Sequence, residues 1–200
     1  IVIFRDTDRD FLGNWEEINV FNTLPNNPDS DNGGVGDGIN DGAEKYVYKT
    51  DPLSNDTDKD GLDDKFELEV RPNTVYPEYN NIKNLYKTDP LVNDTDDDNI
   101  TDYQEVTGDY TVDGRPGYPT NPTRKDTDGD GLDDYTEIFV GVEYWVNSTS
   151  KKYYSYPNAT LFDTDGDNIS DRKEVLKALD PTSNDTDADN ITDYDEINIY

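Results

Sequence analysis

The chain has 200 residues, a formal charge of -30 and no Cys or His, and its 31% hydrophobic content lies below the usual ~45–50%. Such a charge excludes nucleic acid and anionic membrane as partners, and the missing Cys and His exclude a disulfide framework and zinc-like metals. Fifteen Tyr, six Phe and two Trp are too many for a solvated acidic tail, which leaves oxygen-loving cations to offset the charge.

In chain order, the sequence reads as one tandem array with units over 1–22, 23–49, 50–87, 88–119, 120–156, 157–178 and 179–200. Each unit carries a twelve-residue loop with Asp at positions 1, 3, 5 and 9, Gly or Asn at 6, Leu or Ile at 7 and Glu at 12. The first loop is imperfect: Asp6, Asp8, Asp10, Leu12 and Glu17 fit, but Phe11 stands at position 6 and Asn14 at position 9. In the second, Asp29 and Asp31 precede a Gly-rich insertion, and Asp37, Gly38, Ile39, Asp41 and Glu44 resume the pattern. Both are expected to bind more weakly than the five regular copies.

The third loop is Asp56, Asp58, Asp60, Leu62, Asp64 and Glu67, and the fourth Asp94, Asp96, Asp98, Ile100, Asp102 and Glu105. The fifth is Asp126, Asp128, Asp130, Leu132, Asp134 and Glu137. The sixth is Asp163, Asp165, Asp167, Ile169, Asp171 and Glu174, and the seventh Asp185, Asp187, Asp189, Ile191, Asp193 and Glu196. Pro25, Pro52, Pro90, Pro122 and Pro181 each stand four residues before a first Asp and predict a turn, so no helix leads into the loops. The sixth loop departs, with Pro157 further upstream. After the loops only short helices fit, as in SDRKEVLKALD, where Val175, Leu176 and Leu179 share a face. Longer units hold Tyr-rich insertions: 138–162 reads as a hairpin with a polar turn, and FELEVRPNTVYPEYNNIKNLY and VTGDYTVDGRPGYP read as further hairpins.

Three Asp at alternating positions repel one another, at about 1 kcal/mol per pair ~4 Å apart even in water, and a divalent cation reverses that sign. Calcium takes six to eight oxygens, and a twelve-residue loop supplies them from positions 1, 3, 5, 7, 9 and 12. In the third loop Asp56, Asp58 and Asp60 would bind through carboxylates, Leu62 through its carbonyl, Asp64 directly or through water and Glu67 bidentately; the other loops follow suit. Position 6 needs positive φ, which Gly61, Gly131 and Gly38 permit and Asn99, Asn168 and Asn190 tolerate. One Asp-rich stretch would be a solvated turn, but seven copies in register absorb 34 of the 47 acidic residues and indicate about seven calcium ions. Magnesium, which keeps several waters, suits such loops less well.

The string TDPLSNDTDKDGLDDKFE resembles the thrombospondin type 3 repeat family in its bacterial and archaeal form, with Glu closing the loop. The resemblance implies calcium-wrapped, helix-poor rods on secreted or cell-surface proteins; the Tyr-rich insertions lie outside it. Dockerins pair two similar loops with longer helices, which the Pro turns forbid. The expected fold is irregular and low in secondary structure, an elongated tandem array of calcium-binding loops with short helices and inserted β-hairpins.

Eight Asn-x-Ser/Thr sequons occur, at Asn55, Asn93, Asn99, Asn147, Asn158, Asn168, Asn184 and Asn190. Six fall in the repeat and have structural explanations there; Asn147 and Asn158 escape it and are the clearer candidates for N-linked glycans. No catalytic residues are identified, because without His or Cys the available bases are carboxylates already committed to metal. Trp15 and Trp145 are assigned to core or cover packing rather than to sugar platforms.

The leading functional expectation is a rigid extracellular or cell-surface stalk or filament subunit. The alternatives are a carbohydrate- or protein-binding module and the spacer of a secreted enzyme. No apolar stretch approaches the ~20 residues needed to span a bilayer. The lack of Met suggests a piece of a longer precursor. The apolar run Ile1 to Phe4 and the abrupt stop at Ile199 and Tyr200 suggest head-to-tail self-association, covalent or by strand exchange.

Overall fold

In the computed structural model the repeated template folds into a repeated hydrogen-bond pattern. The structure describes residues 5–69, 87–146 and 151–198. The segment Ile1 to Phe4, most of the first Tyr-rich insertion, Asn147 and the last two residues lie outside the described residues.

The last five units start with a turn. The residue five places before the first loop Asp accepts from the N–H three residues on: Asp51 from Ser54, Asp89 from Val92, Asn121 from Arg124, Asn158 from Leu161 and Asp180 from Ser183. Its side chain accepts from the N–H two residues on, at 3.0–3.2 Å, as an Asx turn does. The proline next in line supplies the fixed φ of the second turn position. The sixth unit was expected to depart here, yet the buried Ala159 takes the proline's place in the same turn. Asn158 therefore does not escape the repeat: it is the turn residue, equivalent to Asp51, Asp89, Asn121 and Asp180.

Short helices begin inside the loops, at position 9. The α-helices Asp64–Leu68, Asp102–Thr107, Asp171–Lys177 and Asp193–Asn198 start there, and π-helical turns at Glu17–Phe21, Glu44–Tyr48 and Thr136–Val140 carry the first, second and fifth loops onward. The cause lies at position 8, where a short polar side chain caps the helix: Asp63 accepts from Phe66 N–H at 2.6 Å, Asn40 from Ala43 at 2.7 Å and Ser170 from Lys173 at 3.3 Å. The apolar face expected on Asp171–Lys177 is corrected. Leu176 is 68% exposed, while Asp171 and Glu174 are buried, because the inward face belongs to loop positions 9 and 12.

Two antiparallel hairpins are present among the described residues. β1 (Thr111–Val112) pairs with β2 (Arg115–Pro116) around Asp113 and Gly114, both at positive φ as a two-residue hairpin turn requires. β3 (Val142–Val146) pairs with β4 (Lys151–Ser155), with Glu143 opposite Tyr154 and Trp145 opposite Lys152. Both hairpins fall within segments that the sequence marked.

Contacts divide the chain into two units, one of 1–95 with 101–103 and one of 96–100 with 104–200. In the second, Ile100, Ile138 and Ala159 form a small core covered by Tyr110, Val112, Tyr118, Tyr135 and Phe139. Tyr110 and Tyr135 pack on Phe139 at ring distances of 5.4 and 5.2 Å, and Tyr118 Oη accepts from Ala159 N–H at 3.0 Å. The tyrosines of the insertion at 106–119 thus serve as cover. The two tryptophans do not: Trp15 is 65% and Trp145 42% exposed, since Trp15 occupies the outward position 10 of its loop and strand alternation turns Trp145 away from the buried Val142. No helix among the described residues is long and apolar enough to cross a membrane.

Candidate metal centres

Sixteen buried Asp and Glu outnumber eleven buried apolar side chains among the described residues. Burying carboxylates is costly unless a partner of opposite charge meets them, while among the described residues Lys65, Lys125 and Lys152 pair with the exposed Glu69, Asp97 and Glu143. How the loops gather the carboxylates follows from the backbone.

The fifth loop serves as the pattern. Asp126 accepts from the N–H groups of Gly129 at 2.7 Å and Gly131 at 3.0 Å, which curls the loop about its first carboxylate. Asp128 accepts from Asp130 N–H at 3.0 Å, and Asp130 from Leu132 N–H at 2.7 Å. Both oxygens of Asp126 and one oxygen each of Asp128 and Asp130 are thereby anchored to the loop's own backbone. Asp128 Oδ2 and both oxygens of Glu137 remain buried with no hydrogen-bond partner. The third and sixth loops repeat these contacts, anchoring Asp56, Asp58 and Asp60, and Asp163, Asp165 and Asp167.

The curl needs positive φ twice. Position 6 has it as expected, at Gly38, Gly61, Asn99, Gly131, Asn168 and Asn190, and Phe11 adopts φ 82° in the first loop. Position 4 has it too, at Arg9, Gly36, Lys59, Asp97, Gly129, Gly166 and Ala188, and this the sequence did not disclose. Position 7 turns inward: Leu12, Ile39, Leu62, Ile100, Leu132 and Ile169 are buried, while Ile191 is half-buried.

The imperfect loops close as well. Asp6, Asp8 and Asp10 come together, and so do Asp29, Asp31 and Asp37 across the Gly-rich insertion, each set with one ligand atom apiece within 4.8 Å of the others. Asp56, Asp58 and Asp60 form the same cluster. The fourth loop is split, with Asp94 and Asp102 in the first unit and Asp96, Asp98, Ile100 and Glu105 in the second. In the seventh, Asp185 accepts from Asp189 and Asn190 and Asp189 from Ile191, but Glu196 is only half-buried.

Position 12 is where the missing charge is felt most. Glu17, Glu44, Glu67, Glu105, Glu137 and Glu174 are fully buried. Burial first, and then neighbouring aspartates, push Glu17 to about 7 and the other five to about 9. Only the hydroxyls of Thr50, Thr88 and Thr120, donating at 3.0–3.1 Å to Glu44, Glu67 and Glu105, act in the opposite sense. These threonines, one place before the turn residue, were not singled out in the sequence. The donor set is hard oxygen throughout, with unpartnered buried oxygens aimed together, and it fits a hard divalent cation.

Position 9 makes contacts that the sequence did not disclose. Asp64, Asp102, Asp134, Asp171 and Asp193 are fully buried, and each spends both oxygens on the position-2 threonine of its own loop. One oxygen accepts the threonine N–H at 2.8–3.0 Å and the other its hydroxyl at 2.6–2.8 Å. Asp41 does the same with Ser30. Asn14 pairs with the Thr7 hydroxyl alone, through both of its side-chain polar atoms, a partial and neutral counterpart of this clamp.

The sequons acquire structural meanings. Asn99, Asn168 and Asn190 hold positive φ at position 6, and Ser170 and Thr192 two residues later lie at the capping position. Asn55, Asn93 and Asn184 precede a threonine of the position-9 clamp, and their carbonyls accept from the N–H groups of Asp64, Asp102 and Asp193. Asn55 also accepts from Asn32 at 2.8 Å. Comparison with protein-family models, with curated proteins and with solved structures finds no match for this chain.

Proposed function

We propose that the chain is a calcium-stabilised structural repeat protein, folded around about seven ions and serving as an extracellular or cell-surface stalk or filament subunit rather than as an enzyme. The observation that carries this reading is the set of six fully buried position-12 glutamates, each with at least one oxygen that lacks a hydrogen-bond partner and each facing the charge of loop aspartates. Calcium is favoured over magnesium because the loops offer many protein oxygens in flexible geometry, where magnesium retains water. Seven divalent ions would neutralise nearly half of the formal charge of -30. The calcium-loop resemblance to thrombospondin type 3 repeats fits this reading, as does an extracellular setting, where modules with dissociation constants of about 10⁻⁴–10⁻³ M are filled.

Because the site does not exist in the unfolded chain, metal-binding energy becomes folding energy. Excess EDTA should therefore abolish the folded circular dichroism spectrum and protease resistance, and calcium should restore both. Identical spectra and digestion patterns with and without chelator would refute the proposal.

A binding module is the second reading, favoured by the exposed hairpin face. There Glu143 receives Lys152 and the Tyr154 hydroxyl at 2.8 Å each, and Lys152 lies 5.7 Å from the Trp145 ring centre. Quenching of Trp fluorescence by oligosaccharides would favour it.

A further inference from the structure

The position-9 aspartates lie between successive loops. Asp41 of the second loop comes together with Asp10 and Glu17 of the first, one ligand atom of each within 4.8 Å of the others and all three buried. Asp10 Oδ2 and both oxygens of Glu17 have no hydrogen-bond partner, so the cluster contains unspent acceptors and no donor. Elsewhere the backbone makes the same junction. Tyr103 N–H, one residue past Asp102, donates to Asp60 Oδ2 at 2.8 Å, and Arg172 N–H, one residue past Asp171, donates to Asp130 Oδ2 at 2.6 Å.

The local electrostatics agree. The charges weighing most on Asp102 are Asp60 and Asp58 of the preceding loop, and on Asp64 and Asp171 the preceding loop's Asp37 and Asp130 weigh more than Asp56 and Asp163 of their own. Asp41 and Asp134 feel both loops, with their own ahead.

We propose that the position-9 aspartate of each loop is a calcium ligand of the loop before it, so that each site is closed by its successor. Its own loop holds it through the position-2 clamp, and a carboxylate whose oxygens each accept one hydrogen bond keeps lone pairs for a cation. Neighbouring sites are then coupled, and by linkage the coupling is reciprocal. A loop ordered by its own ion fixes the clamp and the helix start, and so presents a ready ligand to the preceding site, which binds more tightly.

This rests on the calcium reading, and the test separates the two. Asp171→Asn removes the charge and keeps an amide able to pair with the Thr164 hydroxyl, as Asn14 pairs with that of Thr7. Calcium titrations of the full chain, read by hydrogen exchange and mass spectrometry, give a midpoint for each loop. In Asp171→Asn the midpoint of loop 126–137 should rise roughly tenfold, the scale of losing one supporting or ligating group, while that of loop 163–174 moves less than about twofold. A shift confined to loop 163–174, an equal shift in both loops, or none in either would overturn the proposal. Should Asp171→Asn not fold at saturating calcium, Asp102→Asn decides, read in the same way on loops 56–67 and 94–105. Absence of calcium-dependent protection in the unsubstituted protein would instead bring down the calcium reading itself.

Discussion

Replacing Thr127 by Val tests the position-9 clamp without touching a metal ligand. The Thr127 hydroxyl accepts from Asn121 N–H at 2.8 Å and donates to Asp134 Oδ2 at 2.7 Å, so it links the turn before the loop to the helix start inside it. Both partners are buried, Asn121 at 5% exposure and Asp134 at 0%. Valine keeps the shape and the backbone N–H bond to Asp134 Oδ1 but removes both hydroxyl bonds. Losing a hydrogen bond to a charged acceptor costs about 1.5–3 kcal/mol and stranding a backbone N–H about 1 kcal/mol, so Thr127→Val should destabilise by about 2.5–4 kcal/mol. Thr127→Ser retains the hydroxyl and should lose less than about 1 kcal/mol. Urea unfolding at saturating calcium, followed by far-UV circular dichroism, measures both. A valine variant within about 0.5 kcal/mol of the parent, or a serine variant as damaged as the valine one, would refute the reasoning.

Phe11 holds φ 82° with its ring 81% exposed, so Phe11→Gly should relieve left-handed strain at little packing cost. A gain of about 1 kcal/mol in the same urea assay is the expected outcome, and a loss would show that the ring contributes to packing. The buried glutamates also set a pH dependence. Without a cation their folded-state pKa of about 9 exceeds the ordinary 4.5, so the folded form binds more protons, and its stability is present below pH 4.5 and lost as pH rises towards 9. With calcium holding the carboxylates ionised the sign reverses. Melting temperature should therefore rise from pH 4 to pH 8 at saturating calcium, whereas without calcium a folded signal should be confined to the acidic end of that range.

Much of the local structure was legible because each feature has one residue type that satisfies it. Position 6 alternates Gly and Asn since both reach positive φ, and the apolar residue at position 7 marks a side chain that turns inward in six of the loops. Position 4 hid its equal demand for positive φ behind Arg9, Lys59, Asp97 and Ala188, residues with no such preference. The short helices were expected after the loops and instead start within them. Asp63, Asn40 and Ser170 sit at position 8, where an acidic template disguises a capping residue as one more candidate ligand. Leu176 misled for the opposite reason: its spacing from Val175 and Leu179 suits an apolar helix face, but carboxylates hold the inward face of that helix.

The assignment of position 9 shows where a repeated sequence stops being informative. Six of the seven loops carry Asp at position 9, so giving that aspartate to its own ion or to that of the preceding loop leaves the pattern unchanged. Placement in space breaks the tie, through the meeting of Asp41 with Asp10 and Glu17. Asn14 was the one sequence departure that bore on the question, and it counted against the first site only while position 9 was credited to its own loop. Its pairing with Thr7 leaves Asp6, Asp8, Asp10 and Glu17 in place, so the first loop's remaining handicap is Phe11, a matter of backbone strain rather than of ligand number.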